Sequence, residues 1–205
     1  LRDFLIILAA ACVALPARAE PLVISREAGD THVVFESKAP METFQGRTDQ
    51  VRGTIDLGSG GDGAIALHVV VDMASLDTGI ALRNRHMCEN HLHTDEHPEA
   101  VFHGAKVVEG DAAALASPGD HAVTLEGDFT LHGVTRTIRV PATLARTAGE
   151  EGPRLRLTSE FEVALADYGI PRPRMLMLKL NEVQKVSVEL WAAPAAAGAG
   201  SGPGT

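Results

Sequence analysis

The sequence predicts an all-β fold: a closed antiparallel barrel of about eight strands with one short helix. Three observations predict it. Apolar residues recur with period two along most of the chain, the runs are short and regularly spaced, and turn-forming residues separate them. Such alternation gives a strand one dry face and one wet face. Many short strands build a sandwich or a barrel, and closure removes exposed edges, which favours the barrel.

The elements follow in order. Leu22–Arg26 and His32–Lys38 are short strand candidates, and residues 39–47 read as a brief helical turn. Asp49–Leu57 sets Val51, Gly53, Ile55 and Leu57 against Arg52, Thr54 and Asp56. The glycine-rich run Gly58–Gly63 joins it to Ala64–Asp72, where Ile65, Leu67, Val69 and Val71 share a face. Residues 77–95 break the alternation and predict a turn followed by one helix, Ile80–Glu89. Ala100–Val108 resumes the strands. His121–Leu131 carries Val123, Leu125, Gly127, Phe129 and Leu131 on one face, and the tight turn His132-Gly133 leads into Val134–Leu144. Leu155–Ala166 is the clearest run, with Leu155, Leu157, Phe161, Val163 and Leu165 opposing Arg156, Thr158, Glu160 and Glu162. Val183–Trp191 closes the series with Val186, Val188 and Leu190. The Ala, Gly, Pro and Ser tail cannot bury enough apolar surface to order itself. The domain is therefore expected over 20–192, with a disordered tail over 193–205.

The first residues read as an export signal. Arg2 precedes an apolar run from Phe4 to Leu15, then Pro16 and the small-residue site Ala17-Arg18-Ala19. Cleavage is expected after Ala19, giving a periplasmic protein; a lipid anchor on Cys12 is the lesser option, since Ala9-Ala10-Ala11 fits the anchoring pattern poorly. The run is shorter than the roughly 20 residues of a membrane span, so no stable membrane insertion is expected. Cleavage would remove two positive charges and one negative, taking the formal charge from −9 to −10. That balance argues against nucleic acid, whose affinity comes from phosphate neutralisation, and against attraction to an anionic lipid surface. Cys88 would then be the lone cysteine, which excludes an intrachain disulfide.

Several motifs share one resemblance. Gly127-Asp128-Phe129-Thr130-Leu131-His132-Gly133-Val134-Thr135-Arg136 resembles the "G-x-L-T-x-H-G-V-T-K" hairpin of the YceI-like family of periplasmic proteins. In the family's order stand Phe35-Glu36, Phe44-Gln45-Gly46, Ser75-Leu76-Asp77-Thr78, Arg83-Asn84-Arg85-His86-Met87, His97-Pro98-Glu99-Ala100-Val101-Phe102 and Asp167-Tyr168-Gly169-Ile170. The resemblance runs from Leu22 to Ala192. It implies an extended lipocalin-like barrel that holds a polyisoprenoid, quinone or fatty-acyl lipid without catalysis. One segment departs: Asn90-His91-Leu92-His93-Thr94-Asp95 stands where the family carries "Asp-Phe-Phe".

The residues themselves supply candidates for each role. A lumen wall is expected from Ile55, Leu67, Val69, Leu125, Phe129, Phe161, Val163 and Val188, although the same pattern also serves a filled core. Arg83, Arg85 and His86, with Arg172 and Arg174 in a late loop, are candidates for a polar headgroup. His86, Cys88, His91, His93 and His97 form an alternative metal set of imidazoles and a thiolate, but their spacing matches no structural zinc site. Ser59 and Ser75 lack a nucleophile elbow, and the acidic residues lie on wet strand faces. No catalytic residue and no cofactor is expected.

Overall fold

The computed structural model describes residues 20–38, 43–57, 64–149, 152–172, 174–175, 178–179 and 181–195. The expected export signal, Cys12, the Gly58–Gly63 turn and the tail beyond residue 195 lie outside them.

Twelve strands are described: β1 Leu22–Ile24, β2 His32–Lys38, β3 Thr43–Thr48, β4 Val51–Asp56, β5 Ala64–Asp72, β6 Glu99–Glu109, β7 Gly119–Leu131, β8 Val134–Gly149, β9 Gly152–Ala164, β10 Arg174–Met175, β11 Leu178–Lys179 and β12 Val183–Ala193. One α-helix, α1 Ala81–Met87, runs into a π-helical turn at Cys88–Leu92. Every strand pairing is antiparallel. The ring runs β1-β4-β5-β6-β7-β8-β9-β12 and closes where Val23 and Ile24 pair with Ala193 and Ala192. The predicted eight-stranded closed barrel is thus the observed one.

Closure is shared along one edge of β12. Its last residues pair with β1, and Lys185–Glu189 pair with β2, which carries β3 on its other side. The chain crosses from β1 to β2 through a joint pinned by buried Thr31. The Thr31 hydroxyl, 1% exposed, accepts the Trp191 N–H at 2.9 Å and donates to the Ser25 carbonyl at 3.2 Å. Beyond β3 the edge is bridged only lightly to the segment after β5, through backbone bonds between Arg47 and Asp77.

Three expectations are corrected. Residues 43–47 form β3 rather than a helical turn; their backbone groups are taken up by β2 over the register Val33–Lys38. The helix stops at Met87, and the turn that follows ends at His93 in a left-handed conformation, φ 44°. The last strand extends to Ala193 rather than ending at Trp191, with Ala192 fully buried.

One apolar cluster packs an end of the barrel and a second lines the other end. The first, around Ile24, Ile55, Leu144 and Leu155, packs the end where β1 and β4 enter. The other, around Met73, Leu131, Val163, Leu165 and Tyr168, lies at the α1 end. The two-residue turn at that end has positive φ at both positions, His132 at 51° and Gly133 at 73°. A turn with this twist matches antiparallel strands.

Candidate functional site

Above the packed end the barrel holds a cavity of about 700 Å³, lined mostly by apolar side chains, those of the second cluster among them. Protein interiors leave few voids larger than a water molecule. A space this large lies instead in the range of small-molecule sites, about 300–1,000 Å³. Its wall comes from the inward rows of the long strands. Leu67 and Val69 on β5, Leu125 and Phe129 on β7, Phe161 and Val163 on β9, and Val188 on β12 all line it. Close backbone approach seats two of the phenyl rings. A Cβ at Gly46 would stand 2.2 Å from the Phe35 ring, and one at Gly127 would stand 2.7 Å from the Phe102 ring.

Seven of the eight expected wall residues therefore face the cavity. Ile55 does not. It is 1% exposed inside the packed end, because short β4 meets the barrel there, opposite Leu22 and Leu67. The sequence row along β9 also passed over Ser159, which faces inward and lines the cavity with its hydroxyl donating to the Pro141 carbonyl at 2.7 Å.

The mouth is covered by α1 and the π-helical turn, which bring Ile80, Leu82, Met87 and Leu92 over the space. Neither segment buries a residue completely; Met87 and Leu92 pack half-buried against the apolar cluster at this end, and polar contacts fix the two ends of the cover. At its start Asn84 accepts from the Thr78 backbone N–H at 2.9 Å and donates to Asp77 at 2.7 Å. The Arg83 guanidinium bonds Thr78 and lies 4.2 Å from the Phe44 ring centroid. At its end His93 Nδ1 meets His132 Nε2 at 2.9 Å, and His132 Nδ1 meets the Tyr168 carbonyl at 3.1 Å. A carbonyl only accepts, so His132 donates from Nδ1 to Tyr168.

Of the headgroup candidates, Arg83 and His86 line the cavity and Arg85 does not; it sits exposed on the helix. Arg172 is exposed beyond the mouth loop, and the Arg174 side chain lies outside the described residues. The alternative metal set is split. His86 and His91 line the cavity, whereas His93 and His97 turn toward His132, whose ring centroid lies 4.6 Å from that of His97. Among the described residues no group of three such ligands could hold a metal ion. The left-handed turn at His93 separates the two pairs.

Polar atoms at the mouth are few. Ser37 and Gln184 line the cavity from β2 and β12, both almost fully buried. Ser37 Oγ and His91 Nδ1 are buried with no hydrogen-bond partner. Burial lowers the His91 pKa; the Pro171 carbonyl opposes this, and His93 and His86 add to it. The balance favours the neutral imidazole.

Comparison with known proteins places this geometry. Residues 27–192 match the family model described as the YceI-like domain. A UPF0312 protein of Vibrio campbellii is 28% identical over 168 residues, spanning 79% of this chain and 85% of that one. A UPF0312 protein of Pseudomonas syringae pv. tomato is 29% identical over 161 residues, spanning 77% and 80%. Among solved structures, a polyisoprenoid binding domain from Saccharophagus degradans, implicated in plant cell wall breakdown, superposes with a TM-score of 0.63 at 20% identity. It covers 84% of this chain and 96% of its own. Burkholderia cenocepacia BcnA gives 0.60 at 15% identity, covering 80% and 96%.

Proposed function

Because the chain belongs to the YceI-like domain family, we propose that it holds one long apolar ligand inside its barrel and does no chemistry on it. The single observation that carries this reading is the apolar cavity of about 700 Å³ running between the packed end and the α1 cover. The ligand class is a polyisoprenoid, or a quinone or fatty-acyl lipid of similar form; the ligand named for the Saccharophagus degradans neighbour supports the first. Burial of an alkyl chain supplies about 0.8 kcal/mol per CH₂. Micromolar affinity needs about 8 kcal/mol net, so with an association cost of at least about 4 kcal/mol a chain of roughly fifteen carbons or more is required.

The polar groups in the cavity support binding rather than catalysis. Ser159 spends its hydroxyl on a carbonyl, and Ser37 has no hydrogen-bond partner, so no base activates either. The apolar run and small-residue site at residues 1–19 support export to the periplasm, where the protein acts as a carrier or scavenger.

Native mass spectrometry of the protein purified from its own host tests the reading. A bound lipid of one mass is expected. Leu67→Trp and Val163→Trp fill the cavity and should abolish it while leaving the barrel folded. Wild type without lipid, together with tryptophan variants that unfold, would mean a packed interior and no carrier.

A further inference from the structure

The large apolar side chains that remain exposed gather at one end of the molecule. Among the described residues they are Ile80, Leu82 and Val183, at 50%, 55% and 42% exposure. Ile80 and Leu82 also line the cavity, and Val183 opens β12 beside Gln184, which lines it too. Helix α1 contains no acidic residue, buries no side chain and carries Arg83, Arg85 and His86, in a chain whose formal charge is −9. Asp77 and Glu89 flank the helix, yet Ile80 and Leu82 kept in water beside exposed Arg85 still have the chemistry of a lipid-facing surface. The apolar groups enter the acyl boundary and the cations meet phosphate. The acidic remainder of the chain repels an anionic bilayer only weakly beyond a Debye length of about 8–10 Å.

We propose that the α1 end of the barrel docks reversibly on the surface of a phospholipid bilayer, Ile80, Leu82 and Val183 entering the interface and Arg85 meeting phosphate. This rests on the reading that the cavity holds an apolar chain. Each methylene of such a chain favours an apolar phase over water by about fourfold. A chain of that kind is scarce in free solution, so the cavity must exchange it where the lipid resides. Ile80 and Leu82 are at once exposed and part of the cavity lining, and they form the surface across which that exchange runs, with Val183 beside them on the outer face of β12.

The test uses the full chain purified from its own host, floated with vesicles of phosphatidylcholine and with vesicles also containing phosphatidylglycerol. Wild type should float with both. Ile80→Ser combined with Leu82→Ser should lower partition about tenfold, with an unchanged circular dichroism spectrum. Arg85→Glu should lower it only on the anionic vesicles. A tryptophan introduced by Leu82→Trp should be quenched by brominated acyl chains, whereas the natural Trp191, beside β1 at the packed end, should not. The proposal is overturned if wild type does not float, if the double serine variant floats as well as wild type, or if quenching is confined to Trp191. It is also overturned if light scattering shows a dimer that the serine variant dissolves, since the rim then belongs to a second copy. Protein that carries lipid but does not float overturns docking and leaves the carrier reading intact. Protein that floats but never carries lipid overturns the carrier reading and leaves the docking surface standing.

Discussion

At the scale of the residue, His91 combines burial with an unmet polar demand. Burial, with His93 and His86, favours its neutral ring against the pull of the Pro171 carbonyl. An unfolded histidine titrates near its ordinary value of about 6.5. Above that value both states are neutral and the group contributes no pH dependence. As pH falls through it, the unfolded chain takes up a proton that the folded chain resists, so stability falls with acidification. Glu36 and Glu160 are also shifted downward, by hydrogen bonds from Lys38 and Lys185, and as carboxylates they lose their contribution only as pH falls from the ordinary carboxylate range downward, well below the histidine range. Urea midpoints at about pH 7.5 and about pH 5.5 should therefore drop for wild type and drop less for His91→Gln. An equal drop in both would assign the effect elsewhere. The polar residues of the cavity were the least legible feature of the sequence. Ser37, Ser159 and Gln184 interrupt apolar rows, and a single interruption looks like noise until the strands are placed in register.

At the scale of the element, alternation announced the strands that bury one face along their length. It failed at β3. Thr43-Phe44-Gln45-Gly46-Arg47-Thr48 offers one large apolar residue, and its inward position beside Phe35 is a glycine that makes room for the ring. That strand exists through its pairing, which no local pattern records. The cover over the mouth was half legible. The break in alternation located α1, but the π-helical turn and the left-handed His93 depend on a contact with His132, 39 residues away. This contact gives a prediction. His132→Asn retains a residue tolerant of positive φ but removes the bond to His93. The hairpin should keep its thermal midpoint, while amide exchange should rise at Thr94 and His97, whose N–H groups close the turn onto the Cys88 and His93 carbonyls. Exchange unchanged at both amides would show that the turn stands without the histidine contact.

At the scale of the whole molecule, the barrel is a packed core and a container at once, divided along its axis. Period-two alternation cannot reveal this division, because a filled barrel and a hollow one write the same rows. Two leucines on β9 expose the difference. Leu155 and Leu157 lie two residues apart on the same face, are 0% and 4% exposed, and belong to the same apolar cluster. Leu157 lines the cavity, and Leu155 lies below it in the packed end. Truncating a leucine enclosed on all sides leaves a void whose lining atoms lose their contacts, which typically costs about 2–5 kcal/mol. A leucine already bordering open space has fewer such contacts to lose. In ligand-free protein, Leu155→Ala should cost a value within that range and Leu157→Ala clearly less, by denaturant titration at unchanged m. Adding the bound lipid back should stabilise both by mass action, and the Leu155 variant should retain wild-type affinity because its side chain does not border the ligand. Equal costs for the two truncations without ligand would mean that the space above Leu157 is filled by protein.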